Sequence, residues 1–139
     1  MLLFNDLIFL KKNKADTLLC KNSKWIDYKL KKSLEERINE SQNILKKYPD
    51  KIPVIINECN EDLRDRIKRK ILLQKDMTAS QYIYSLRSKF NIKQEESLLL
   101  FINGSMPTST TLMSHLYEKN KDKDGFLYVS ILKENAFGR

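Results

Sequence analysis

Few side chains in this sequence could make or break a covalent bond. The single histidine, His115, stands beside Ser114 in "MSHLYE". Neighbours on a helix point to different faces, so the two cannot converge as nucleophile and base, and a surface histidine is the plainer reading. Cys20 and Cys59 are too few for a disulfide framework, which points to a reducing compartment. With one distant histidine they offer no zinc-ligand spacing, and Cys59 reads as a small, partly buried hydrophobe. The three glycines, at 104, 125 and 138, cannot build a phosphate loop or a dinucleotide fingerprint. The carboxylate pairs Glu35-Glu36 and Glu95-Glu96 are of the kind that faces solvent. No catalytic, metal or cofactor constellation emerges, and the chain reads as something other than an enzyme.

One oddity is left, in the closing stretch "DGFLYVSILKENAFGR". Gly138 sits next to last, where almost no chain follows for it to cap or turn. Either the end is accidental, or the tail itself is what something else reads.

The elements come next. "SLEERINESQNILKKY" pairs Ser33 with Glu36 at capping-box spacing and repeats Leu34, Ile38, Ile44, Leu45 and Tyr48 at helical intervals. Pro49 ends that helix. "KIPVIIN" is a β-branched strand whose Pro53 implies an edge or a bulge. A charged connection, "CNEDLRDRIKR", leads to a second strand, "KILLQ". "TASQYIYSLRSKF" is a helix with Thr78 as its cap and Tyr82, Leu86 and Phe90 along one face. "SLLLFIN" is a buried strand, and Asn103-Gly104 is the strongest tight-turn signal. "TSTTLMSHLYEKN" is a short helix, and "GFLYVSIL" is the last strand. Strand pairs around a packed helix make this α+β, and the order fits a β-grasp, the ubiquitin fold, with helical decoration in front.

The formal charge is +8, from 26 Lys and Arg against 18 Asp and Glu, which favours acidic partners. The runs "KNSKWIDYKLKK" and "RIKRK" mix charge with apolar residues and, taken alone, could track a phosphate backbone. A solvated face is the plainer alternative. The opening "MLLFNDLIFL" is too short to span a bilayer and is interrupted by Asn5 and Asp6, so a basic extension is expected there rather than a targeting signal.

Four motifs in order make the chain recognisable. "KKYPDKIPVI" at 46–55, "KDMTASQY" at 75–82, "LLLFIN" at 98–103 and "LYEKNKDKDGFLYVS" at 116–130 together resemble the autophagy ubiquitin-like modifier family, which includes microtubule-associated protein light chain 3 and the GABA-receptor-associated protein. The resemblance runs from about Lys24 to Arg139 and covers the "FGR" ending. It implies a flexible extension at 1–23 and a modifier domain at 24–139. That domain divides into two N-terminal helices at 24–48, a β-grasp core at 49–135 and a processed tail at 136–139.

The resemblance also gives the tail a meaning. It implies that a cysteine protease removes Arg139, and that activating and conjugating enzymes then join Gly138 to phosphatidylethanolamine. No cofactor and no nucleic acid are implied. The expected locations are the cytoplasm and, through the lipid, autophagosome and related vesicle membranes, with the vacuole or lysosome as a further destination. A glycine suits such a role because, lacking Cβ, it can thread a narrow cleft.

The resemblance further implies capture of extended peptides with an aromatic-x-x-aliphatic pattern, carried by cargo receptors and adaptors, on the edge strand "RKILLQ". An aromatic pocket is expected from Glu40, Ile44, Pro53, Ile55, Lys70, Leu72 and Phe126. A second pocket is expected from Ile71, Leu73, Met77, Tyr82 and Leu86, with Lys89 at its rim. Plain core is the alternative for the second set. Lys46, Lys47, Lys68, Arg69 and Lys70 would flank the groove and speed association with acidic partners. Gln74, Ser85 and Ile71 depart from the family's usual proline, leucine and aromatic, which bears on the second pocket. Two other readings stay open: the same fold as an unconjugated adaptor in vesicle traffic or cytoskeleton, and a basic nucleic-acid-binding domain.

Overall fold

A computed structural model describes residues 24–58 and 70–135. Two helices, α1 (Lys24–Lys31) and α2 (Leu34–Lys47), precede strands β1 (Lys51–Glu58) and β2 (Lys70–Gln74). Helix α3 (Ala79–Lys89), strand β3 (Glu96–Phe101), helix α4 (Met113–Asn120) and strand β4 (Leu127–Asn135) complete the order. The four strands form one sheet in the order β2-β1-β4-β3. The central pair β1 and β4 is parallel, and both outer pairings are antiparallel. This is the β-grasp with two extra N-terminal helices.

Local chemistry sets the helix starts. Ser33 caps α2, its hydroxyl accepting from the Glu36 backbone N–H while the Glu36 side chain accepts from the Ser33 N–H. Thr78 and Gln81 make the same reciprocal pair at the start of α3. Each satisfies backbone donors that a helix start leaves open. At Asn103 (φ 52°) and Gly104 (φ 78°) both residues are left-handed, as a two-residue hairpin turn needs, and Ile102 and Ser105 exchange hydrogen bonds of 2.8 and 3.1 Å across it.

Both faces of the sheet are covered. Ile52, Val54 and Ile56 of β1 meet Tyr82 and Leu86 of α3 and Met113, Leu116 and Tyr117 of α4 in the larger core. The alternate residue Ile55 joins Tyr28, Phe126 and Tyr128 in a smaller cluster, with Ile44 of α2 packed against it. A strand buried on both faces reads as a continuous apolar run, and "IPVII" is one.

Three expectations need correction. Pro53 lies in an interior strand, not at an edge or bulge; it is tolerated because pairing with β4 begins only at Val54, so no ladder bond to β4 is lost at Pro53. The helix expected from Thr108 begins at Met113, because the preceding segment is held against the start of α3 instead. There the Ala79 N–H donates to the Thr111 carbonyl (2.9 Å) and the Ser80 N–H to the Ser109 carbonyl (3.0 Å). Strand β4 starts two residues later than expected and runs on to Asn135, paired with β3 from Ser130 onward, with Lys133 and Glu96 in an ion pair at 3.2 Å.

The N-terminal helices are locked on by buried charge. Arg37, 1% exposed on the underside of α2, donates to Asp124 at 2.9 Å. Asp124 also accepts from the Tyr128 hydroxyl and from the Phe126 N–H, and Ser41 donates to the Asp124 carbonyl. Lys29 of α1 reaches Asp122 at 2.8 Å and lies over the Tyr128 ring. Gly125 completes the joint.

Candidate functional site

Strand β2 is one of the two edges of the sheet among the described residues, and its sequence determines what that edge offers. Pairing with β1 sets Leu73 opposite Ile52, Leu72 opposite Pro53 and Ile71 opposite Val54. Because side chains alternate along a strand, Lys70 and Leu72 belong to the face covered by α1 and α2, and Ile71 and Leu73 to the face covered by α3. Leu73 is buried in the larger core, Ile71 is half-buried, and Leu72 is 37% exposed. An unpaired edge with an exposed leucine is a place where another chain can pair.

A cavity lies on each side of this edge. The first, of about 400 Å³, is lined by Ile44, Pro53, Lys70, Ile71, Leu72 and Phe126. Of the residues expected there, Ile55 is instead fully buried beneath it, in the cluster with Phe126. Glu40 stands beside it, its carboxylate accepting from Lys70, from the Tyr28 hydroxyl and from Lys32 at 2.9 Å. Burial alone would raise the Glu40 carboxyl, but the Lys70 ammonium, the Tyr28 hydroxyl and the Lys32 ammonium outweigh it and hold the group at about 2. Lys70 is thereby engaged at the rim and also lies over the Tyr28 ring at 4.8 Å.

The second cavity, of about 230 Å³, lies between β2 and α3. Every residue expected there lines it: Ile71, Leu73, Met77, Tyr82, Leu86 and Lys89. Leu72, Ile56, Ser85 and Phe90 line it as well, so Leu72 and Ile71 wall both cavities. Leu73, Tyr82 and Leu86 are also core residues, each at most 7% exposed, so here core and cavity wall are the same side chains. Ile56 and Phe90 went unassigned to a pocket in the sequence. Phe90 continues the Tyr82-Leu86 face by one more turn, and that was the available signal. The Tyr82 hydroxyl is buried without a hydrogen-bond partner among the described residues.

Of the basic residues expected to flank the groove, Lys46 and Lys47 are exposed on the last turn of α2, while Lys68 and Arg69 lie outside the described residues. Gly138, Arg139 and the 1–23 segment lie outside them too.

A β-grasp with two leading helices, with a cavity on each face of its edge strand β2, defines a class: a ubiquitin-like protein. The comparisons narrow it. A family model described as autophagy protein Atg8, ubiquitin like, matches residues 36–138. The chain is 39% identical over 112 residues to autophagy-related protein 8a of Arabidopsis thaliana, covering 80% of this chain and 92% of that one. It is 39% identical to autophagy-related protein 8B of Oryza sativa subsp. indica, covering 94% of that chain. Among solved structures, Trypanosoma brucei ATG8 is similar at 30% identity and a TM-score of 0.69, over 80% of this chain and 97% of that one. Plasmodium falciparum Atg8, solved in complex with a Plasmodium falciparum Atg3 peptide, is similar at 32% identity and a TM-score of 0.65, over 75% of this chain and 93% of that one. The chain belongs to the Atg8 family of ubiquitin-like autophagy proteins. Its members are modifiers rather than enzymes, and they work from the cytoplasm at vesicle membranes with conjugating enzymes and cargo receptors as partner classes.

Proposed function

We propose that this chain is cleaved after Gly138, joined through that glycine to phosphatidylethanolamine, and displayed on autophagosome membranes as an adaptor. In that role it captures aromatic-x-x-aliphatic segments at β2. The observation that supports the adaptor reading best is the placement of the two cavities on opposite faces of an unpaired edge strand. In an extended peptide, residues three apart point to opposite faces and lie about 10 Å apart along the strand. A peptide adding to β2 would therefore send its first anchor toward α2 and its second toward α3. Backbone hydrogen bonds would supply affinity and the cavities selectivity. The first cavity, floored by Phe126 and walled by Ile44 and Leu72, suits the aromatic anchor. The Plasmodium relative is solved with an Atg3 peptide bound, which supports peptide capture as a property of this fold.

Conjugation rests on family membership and on the "FGR" ending. Intact-mass analysis of the protein from starved cells is expected to show loss of Arg139 and an added lipid. Gly138→Ala should block both, because the added methyl displaces the reacting carbonyl in a cleft shaped for bare backbone. Deleting Arg139 alone should leave lipid attachment intact. A Gly138→Ala protein still recovered as a lipid adduct would replace this reading with the unconjugated adaptor. Leu72→Ala, at a residue 37% exposed in the groove, tests the groove separately: calorimetry should show weaker binding of aromatic-x-x-aliphatic peptides, on the order of tenfold.

A further inference from the structure

Building on the peptide-groove reading, we propose that the chain's own N-terminal segment, through Phe4 and Leu7, occupies the β2 groove and competes there with incoming peptides. The stretch "LFNDLIF" places Phe4 three residues before Leu7, the aromatic-x-x-aliphatic spacing already proposed for the groove's ligands. The same spacing occurs at Phe126–Val129 and Tyr128–Ile131, but those four side chains are buried in the fold. Phe4 and Leu7 stand apart from the shared domain, since the family model begins at residue 36.

The direction of the motif matches the groove. The first cavity is lined by residues 70–72 of β2 and the second by residues 71–73. A segment with its aromatic residue first and its aliphatic residue second therefore runs parallel to β2. Phe4 then enters the cavity floored by Phe126, and Leu7 the one between β2 and α3. Asp6, two residues after Phe4, falls on the same side as Phe4, toward the Gln74 end of the strand. Gln74 pairs with Lys51, and α2 ends shortly before Lys51 with Lys46 and Lys47 in its last turn. The acid of the motif thus faces a basic corner, which favours this orientation.

The connection is long enough. Helix α1 joins the fold behind the first cavity: Tyr28 packs edge-on against Phe126, ring centres 5.8 Å apart, and Lys70 lies over the Tyr28 ring. Lys24 is one helical turn before Tyr28, about 6 Å along the axis. Residues 8–23 link it to Leu7 and span about 25 Å if wholly helical, about 55 Å if extended. The two cavities share Ile71 and Leu72 as walls, so the return from the second cavity to Lys24 crosses little more than one strand. Either length covers it. Such a tether sets an effective concentration on the order of millimolar. A segment with a free affinity near half that value fills the groove about two-thirds of the time, and an added peptide binds about threefold more weakly. Strong ligands displace it, while weak ones are held off. Occlusion of this size adds little to the stability of the domain.

The test uses the full chain and a synthetic aromatic-x-x-aliphatic peptide with flanks unrelated to this sequence. In calorimetry, the double variant Phe4→Ala/Leu7→Ala should bind that peptide about threefold more tightly than wild type. Phe4→Trp, with a larger apolar anchor, should bind it no more tightly than wild type. Leu2→Ala/Leu3→Ala, just outside the motif, should match wild type, and an equal gain there would mean general apolar cover and overturn the proposal. Amide spectra of the peptide-free wild type and the Phe4→Ala/Leu7→Ala variant should differ at Ile71, Leu72 and Leu73, by an amount that dilution does not change. Equal peptide affinities, or coincident spectra, overturn the proposal and leave the groove standing. Differences that fade on dilution assign the segment to the groove of a second copy, which overturns it as well. If the peptide binds none of these proteins, the groove reading itself falls, and the self-occlusion with it.

Discussion

Gly125 is the position where a single methyl group would do most harm. It is left-handed at φ +91°, and a Cβ there would sit 2.5 Å from the Ser41 hydroxyl oxygen. Ser41 cannot step aside easily: it is 1% exposed and donates to the Asp124 and Ile38 carbonyls. Backbone strain and overpacking then act together. Gly125→Ala is expected to lose about 2–4 kcal/mol of stability, measured by urea unfolding. Tyr82→Phe should go the other way. Most truncations of buried side chains destabilise, but this one removes an unpaired hydroxyl without opening a cavity. A gain of up to about 1 kcal/mol is expected, and a loss of that size would mean the hydroxyl has a partner in solution.

At the scale of elements, α2 is held on two sides by different physics. Its underside carries Arg37 onto Asp124, with both side chains at most 2% exposed. Removing one partner strands the other charge in the interior, so Arg37→Ala should cost about 3–5 kcal/mol. Arg37→Met keeps the packing volume but still leaves Asp124 without its cation, so it should recover only part of that loss. Glu40, on the outer side, ties α2 to α1 through Tyr28 and Lys32 and to β2 through Lys70. Its carboxyl lies at about 2 in the fold against 4.5 when free. A lowered carboxyl contributes stability that is fully present above 4.5 and is lost as pH falls toward 2. Melting temperatures of wild type and Glu40→Gln should differ at pH 6 and converge between pH 4.5 and 2. A constant offset across that window would remove Glu40 from the joint.

For the whole molecule, the design is one sheet serving two cores. The face under α3 and α4 holds the larger core, and the face under α1 and α2 holds the smaller one, which also floors the first cavity. Groove and fold are therefore coupled: a mutation that loosens α2 should weaken aromatic-anchor binding even without touching the cavity. Arg37→Met provides the case, read by calorimetry at a temperature where it remains folded. The basic 1–23 segment belongs to a different account. It lacks the periodic pattern seen after Ser33, so a chain starting at Lys24 is expected to melt as cooperatively as the full chain, with Tm shifted by no more than about 2 °C. A large drop would mean that Leu2, Leu3 and Phe4 pack on the core.

How much of this was legible beforehand follows from the range of each interaction. Helix caps at Ser33 and Thr78, the Asn103-Gly104 turn and the apolar run of β1 depend on residues a few positions apart, and the sequence by itself determined them. Motif order carried the class of fold, and through it the two sets of groove residues. The tertiary structure alone decided the rest. It showed that Pro53 is tolerated inside the sheet because β4 starts one residue later. It put Ile55 under the first cavity rather than in its wall, and it made Ile71 and Leu72 common to both cavities. The Arg37–Asp124 pair spans 87 positions, and nothing local marks an arginine in a polar helix face as buried. The Tyr82 hydroxyl is the same kind of fact: helical spacing points the side chain inward, but only the packed neighbours determine whether a hydrogen-bond partner is waiting there.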